Sequence, residues 1–196
     1  GSQFTQTGKY KRVLCIGADA LSKTTEFTDR GMCVLLADAA GAAVLEPSDD
    51  ERGIIDFDLY SDGQYWELLY MPGGGSRHPA TKETVDARMH FAKMKGNEVF
   101  KVAVRLFVDC AERILARNGF TPDDVSLFIP HQANLRIIEA AAKRVNLPMD
   151  RVFVNVDRYG NTGAASVYVA LEEAVAAGRL KRGDLVLLVA FGGGFA

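Results

Sequence analysis

The sequence predicts an α/β protein built on a parallel sheet with helices packed against it. Three observations point there. Apolar runs of strand length recur at 125–129, 152–156 and 185–191. Helical stripes separate them, at 97–118, at 135–145 and from about residue 163 to 177. Strands alternating with helices in this way imply parallel pairing. Finally, each strand-like run ends in polar or glycine-rich residues, where open parallel sheets gather their function.

Taken in order, the chain begins GSQFTQTGKYKRVLCIGADA, which reads as the end of a helix, a turn, and a buried strand at 13–16 closed by Gly17. Runs at 33–36 and 42–45 flank ADAAG and are expected to pair antiparallel around that small-residue turn. Residues 49–82 are richer in Gly, Asp and Pro, and MPGGGSRHPA is a loop, so this region reads as a surface excursion. The helix at 97–118 places Phe100, Val104, Phe107, Val108, Ala111, Ile114 and Leu115 on one face, and Asn118-Gly119 ends it. In the helix at 135–145, Ile138, Ala141, Ala142 and Val145 share a face.

Bulk properties exclude several classes. With 48% hydrophobic and 24% charged residues, the 196-residue chain suits a soluble globular protein with a sizeable core. A net charge of −2 gives no global basic footprint, so neither nucleic acid nor an anionic membrane is predicted as a partner. Cys15, Cys33 and Cys110 are odd in number, widely spaced and set in apolar segments. They read as buried, reduced thiols of a cytoplasmic protein rather than disulfides or zinc ligands, and no metal site is expected. LVLLVAF is too short to span a bilayer, and no signal peptide opens the chain. The chain lacks a start methionine and stops after a glycine-rich turn where a further strand is expected, so it reads as a fragment.

Three groups lie at strand ends: His131 in LFIPHQANLRII, Asn161 in DRYGNTGAAS, and the glycines of FGGGF. Each has an ordinary reading. A histidine caps a helix or sits satisfied in a core, Gly-Asn makes a turn, and glycines permit close backbone packing. Together, at equivalent strand ends, they point to one pocket. A neutral imidazole and an amide converging there suit a developing enolate or oxyanion, and N–H groups of a Gly-Gly-Gly turn suit a second oxyanion pocket. That combination fits carbon–carbon bond chemistry on thioesters.

PHQANLRII, YGNTGAAS and FGGGF, in this order and spacing, resemble β-ketoacyl-acyl-carrier-protein synthase III, a condensing enzyme of the thiolase superfamily. The likeness continues through VLCIGADALS, TDRGMCVLLADAAGAAVL and MKGNEVFKVAV, covering nearly the whole chain. It implies the layered αβαβα thiolase-like fold, with 1–48 as the end of the N-terminal half, 49–95 as a connecting excursion and 96–196 as most of the C-terminal half. It implies an acyltransferase that condenses an acyl-CoA primer with malonyl-acyl-carrier protein, acting as a homodimer without metal or redox cofactor.

By the same resemblance His131 and Asn161 belong to a Cys-His-Asn triad and stabilise the enolate left by decarboxylation. Gly193 lends its backbone to the oxyanion hole of the acyl-cysteine. Arg30 matches the residue packed on the adenine of coenzyme A. Gly96, Asn97, Phe100, Ala133, Asn134 and Ile137 match the walls of the pantetheine tunnel. The family's nucleophilic cysteine lies upstream of these residues, so an N-terminal segment of the same enzyme is an implied partner, and none of the three cysteines present replaces it. Gly163 stands where many relatives have Ser, a change expected to be mild. Lys101, Arg136, Lys143 and Arg144 match positions around the tunnel mouth, where an acidic carrier protein docks; taken alone they read as ordinary solvated helix faces. Two other readings stay open: a secondary-metabolite acyltransferase of the same superfamily, and a binding fragment without catalysis.

Overall fold

The structure, a computed structural model, describes residues 1–50 and 52–192. In chain order it forms α1 (Ser2–Gln6), β1 (Val13–Ala20), β2 (Asp38–Leu45), the short β3 (Leu69–Tyr70), α2 (Lys82–Asp86), β4 (Lys93–Met94), the long α3 (Gly96–Arg117), β5 (Leu127–Pro130), α4 (Leu135–Val145), one-turn α5 (Val156–Tyr159), α6 (Ser166–Ala176) and β6 (Val186–Val189).

The layer order follows from strand alternation. β5 pairs in parallel with β6, from Leu127 opposite Val186 to Pro130 opposite Val189. On the other edge of β5, Phe128 bridges Val152 in parallel. Side chains of a strand point alternately to opposite faces. Accordingly Phe128 joins Val104, Phe107, Ile138 and Ala142 of α3 and α4, while Leu127 and Ile129 join Ala170 and Ala174 of α6. Phe128, Ile129 and Ile138 are wholly buried, each stabilising the fold by about 1.5–3 kcal/mol.

α6 has β1–β2 on its other side. Gly17 and Gly41 lie opposite each other in that antiparallel ladder. A Cβ on Gly41 would sit 2.4 Å from Tyr168 Cβ, and one on Gly17 2.2 Å from the Ala164 carbonyl oxygen. Hydrogen at these positions lets the sheet reach the helix. The described residues thus stack α3/α4, β5/β6, α6 and β1/β2, which are four successive layers of the thiolase-like α/β arrangement. On the far face of β1–β2, Leu14, Ile16 and Val44 are exposed.

Several expectations change in detail. Residues 33–36 form no strand: the amide of Cys33 donates to Asp29 O and that of Leu35 to Met32 O, winding them into turns anchored by buried Met32. ADAAG is not a turn: its residues 38–41 open β2, paired residue for residue with β1. Gly41 among them serves close packing under α6. β1 likewise runs past Gly17 to Ala20. The 152–156 strand shrinks to one bridge because Gln132 Oε1 accepts the amides of Asn155 (2.9 Å) and Val156 (3.2 Å), drawing the chain into α5. All three cysteines are unpaired but half-buried rather than buried.

The longer helices match the sequence pattern. α3 closes at Gly119 (φ +73°), with the Phe120 amide donating to Leu115 O at 2.9 Å. α4 uses Asn146 at φ +61° for the same left-handed close.

Candidate active site

β5 delivers His131 to its carboxyl end, where the His131 amide donates to Val189 O at 2.7 Å and continues the ladder to β6. The ring is buried. Its Nδ1 lies 2.5 Å from Ser166 Oγ at the start of α6, and its ring meets that of Phe191 edge-on at 5.6 Å. Phe191 in turn packs edge-on against Phe107 of α3, at 5.1 Å. Burial pushes the imidazole pKa down from 6.5 to about 4, so the ring is neutral at pH 7. A neutral imidazole is a fixed donor on one nitrogen and an acceptor on the other.

Asn161 is held from both sides. Its amide donates to Leu35 O at 2.7 Å and its carbonyl accepts from Ala37 N at 2.8 Å, a parallel bridge to the segment before β2. Its side-chain Oδ1 accepts the Gly163 amide at 3.0 Å, leaving the Nδ2 donors unengaged by the described residues. Five residues later the chain reaches Ser166, the hydroxyl against His131. A side-chain hydrogen bond thus joins His131 to the start of α6, the helix that follows the Asn161 loop.

Gly163 shapes that loop. It adopts φ +57°, and a Cβ there would lie 2.2 Å from Asp19 Oδ2. The same carboxylate oxygen accepts the Ala164 amide at 2.7 Å. Glycine at 163 is thus a local requirement of this chain: a side chain would meet Asp19 while adopting a left-handed backbone.

Gln132, only 1% exposed, staples the site to the sheet. Its Nε2 donates to Pro130 O (2.8 Å) and Phe153 O (3.1 Å), while its Oε1 accepts the two amides of residues 155 and 156. Asn155 passes the network on, donating from Nδ2 to Glu173 at 2.7 Å. Burial raises the Glu173 pKa, but hydrogen bonds from Asn155, Tyr159 and Arg158 outweigh it, so the carboxylate is held below its usual range. Ser166, Gln132, Asp19 and Glu173 were not singled out as site residues from the sequence. Only tertiary contact gives them a role, although Gln132 and Ser166 lie inside the quoted motifs.

The remaining candidates are placed as follows. Ala133 and Ile137 are buried in the core of α3 and α4. Asn134 caps α4, its Oδ1 accepting the Arg136 amide at 2.9 Å. Gly96 and Asn97 are exposed at the start of α3. Phe100 is half-buried, with the Arg136 guanidinium 5.9 Å above its ring. Arg30 is exposed in the turns after residue 29. The ion pair of Arg88 with Glu26, whose pKa falls to about 2 because Arg88 and Thr28 donate to it, ties that region to the segment before α3. Gly193 lies outside the described residues.

Lys101, Arg136, Lys143 and Arg144 are exposed. Among the described residues none of the four has an acidic partner, whereas Arg113 and Arg117 on α3 pair with Asp58 and Asp56. A cavity of about 660 Å³ lies between residues 53–60, α3 and β6, bounded by Ile54, Phe57, Phe107, Ile114 and Leu188. It is largely apolar, and Phe191, whose ring meets that of His131, is among its lining residues while His131 is not. Cys110 borders this cavity, where burial raises its thiol pKa, and among the described residues no cysteine is hydrogen-bonded to His131. Among the described residues no cluster of three metal-ligating side chains occurs, and no helix is long and apolar enough to cross a membrane.

The profile of the family 3-oxoacyl-[acyl-carrier-protein] synthase III matches residues 1–63, and that of its C-terminal domain matches residues 115–196. A β-ketoacyl-[acyl-carrier-protein] synthase III from Caldanaerobacter subterraneus subsp. tengcongensis is 51% identical over 192 residues, 98% of this chain and 58% of the relative. The crystal structure of 3-oxoacyl-[acyl-carrier-protein] synthase III from Aquifex aeolicus superposes with a TM-score of 0.86 at 44% identity, over 98% of this chain and 58% of that one. A priming β-ketosynthase of the R1128 polyketide pathway superposes at 0.81 with 32% identity, covering 98% and 57%. The chain thus spans under two thirds of the length of the relatives it matches. It belongs to the 3-oxoacyl-[acyl-carrier-protein] synthase III family.

Proposed function

We propose that this chain supplies the decarboxylation and condensation half of a β-ketoacyl-acyl-carrier-protein synthase III. The observation that supports this most is buried, neutral His131 held against Ser166 at the start of α6, five residues after Asn161, whose side-chain amide donors are unengaged by the described residues. In this reading malonyl-acyl-carrier protein binds with its thioester oxygen facing both groups. The bond to the terminal carboxylate breaks, carbon dioxide leaves, and the electron pair passes to an enolate whose oxygen accepts hydrogen bonds from His131 Nε2 and Asn161 Nδ2. Neither donor changes charge, and both bonds strengthen as negative charge builds.

The enolate carbon then attacks the acyl thioester of a cysteine. A carbon–carbon bond forms, the tetrahedral oxyanion is met by the Gly193 amide, and the cysteine leaves as thiolate. That cysteine is assigned to the part of the family's length that these residues do not span. No metal or redox group enters any step. Arg30, Gly96, Asn97 and Phe100 are read as the coenzyme-A approach, with Ala133, Asn134 and Ile137 behind it. The cations Lys101, Arg136, Lys143 and Arg144, without acidic partners among the described residues, are read as the docking face for the acidic carrier protein, in a cytoplasmic homodimer.

Malonyl-carrier protein and an acyl-CoA, supplied together to the full-length enzyme, should yield carbon dioxide and β-ketoacyl-carrier protein in equal amounts. Acyl transfer without carbon dioxide release would refute this reading. The 32% identity to a priming β-ketosynthase keeps a second reading, a polyketide-type acyltransferase with the same two donors, and the choice of carrier protein distinguishes it.

A further inference from the structure

We propose that Ser166 is a positioning residue that fixes His131 in the Nε2–H tautomer. The two groups come from different elements, His131 from the end of β5 and Ser166 from the start of α6, yet Nδ1 and Oγ lie 2.5 Å apart with both residues buried. The direction of the hydrogen bond follows from counting protons. The Ser166 oxygen already accepts the Gln132 backbone amide, at 3.4 Å. A hydroxyl has one proton to give and two lone pairs. His131 Nδ1 is the acceptor this proton finds among the described residues.

With Nδ1–H as donor instead, the hydroxyl would accept twice and its own proton would be buried without a partner, which costs more than the bond returns. Nδ1 therefore accepts, and the ring proton sits on Nε2. Burial keeps the second proton off near neutral pH. The Gln132 amide holds the hydroxyl rotor, and the Gln132 side chain holds that amide through its own bonds to β5 and the 153–156 segment. An orienting partner on the far nitrogen of a working imidazole is the usual way a protein selects its tautomer. The inference rests on the proposed function only for what the Nε2 proton does.

The test uses full-length enzyme labelled with ¹⁵N-histidine. At pH 7 His131 should show an unprotonated, hydrogen-bonded Nδ1 and a protonated Nε2. In Ser166→Ala the Nδ1 resonance should move to the free-acceptor position, and malonyl decarboxylation should fall by about 10–100-fold in kcat with little change in KM. A protonated Nδ1 in the unsubstituted enzyme overturns the proposal whether or not Ser166→Ala folds. So does a Ser166→Ala enzyme with unchanged Nδ1 resonance and rate. If the tautomer is as stated but no malonyl thioester is decarboxylated, the functional reading fails and the Ser166 assignment stands.

Discussion

Replacing Gln132 with Leu should cost about 3–5 kcal/mol of folding stability. The side chain is 1% exposed, and both of its donors and both of its acceptor positions are engaged by backbone groups of Pro130, Phe153, Asn155 and Val156. Leucine preserves most of the volume but leaves four backbone groups unpartnered, at about 1–3 kcal/mol for each that stays buried. The simple sum overshoots, because half-buried Val156 lets water reach its amide and because leucine gains apolar burial.

Urea unfolding should register the loss as a midpoint lower by about 2 M, for a slope near 2 kcal/mol per molar. Gln132→Glu provides the control. Its carboxylate still accepts from residues 155 and 156 but opposes the carbonyls of Pro130 and Phe153, so the deficit should shrink as pH falls and the acid regains a proton. A Gln132→Leu loss below about 1 kcal/mol would refute the staple, since that is the net worth of one ordinary hydrogen bond.

Acid should destabilise the fold through His131. Its folded pKa is about 4 against 6.5 when free, so the unfolded chain binds more protons between those values and stability rises with pH across that window. The contribution is complete above about pH 6.5, and about 3 kcal/mol is lost as pH falls to about 4. His131→Gln should flatten that part of the profile, and equal slopes in both proteins would contradict it. Gly163→Ala should cost about 1–3 kcal/mol in thermal unfolding, from the left-handed backbone and the displaced Asp19 carboxylate, and an unchanged Tm would refute the clash. Lys101→Glu with Arg136→Glu should slow association with carrier protein about tenfold or more at low salt while leaving acyl-CoA use nearly intact, and equal loss for both substrates would remove the docking face.

The fold was legible where periodicity was strong. The apolar stripes of α3 and α4 and the glycine or asparagine at their ends located both helices, because those signals are local. The strand-like runs led less directly. ADAAG has the composition of a turn, yet its Gly41 serves a close approach to Tyr168 that no local pattern reveals. The run at 152–156 has β propensity, but Gln132, twenty residues earlier in the chain, captures its amides and ends the pairing after one bridge. At the candidate site His131 and Asn161 stood out because, with the glycines of FGGGF, they fall at the ends of successive strand-like runs. Ser166 and Asp19 did not, since a serine opening a helix and an aspartate in a strand have ordinary explanations until their partners are known.

The most direct test follows the two half-reactions separately in the full-length enzyme. His131→Ala and Asn161→Ala should each lower the rate of carbon dioxide release from malonyl-carrier protein by about 10²–10³-fold, the usual effect of deleting one oxyanion donor, while acylation by the acyl-CoA primer stays within a few fold of normal. If carbon dioxide release continues unchanged in both variants, or if acylation falls in step with it, the assignment of these two side chains to the enolate is wrong.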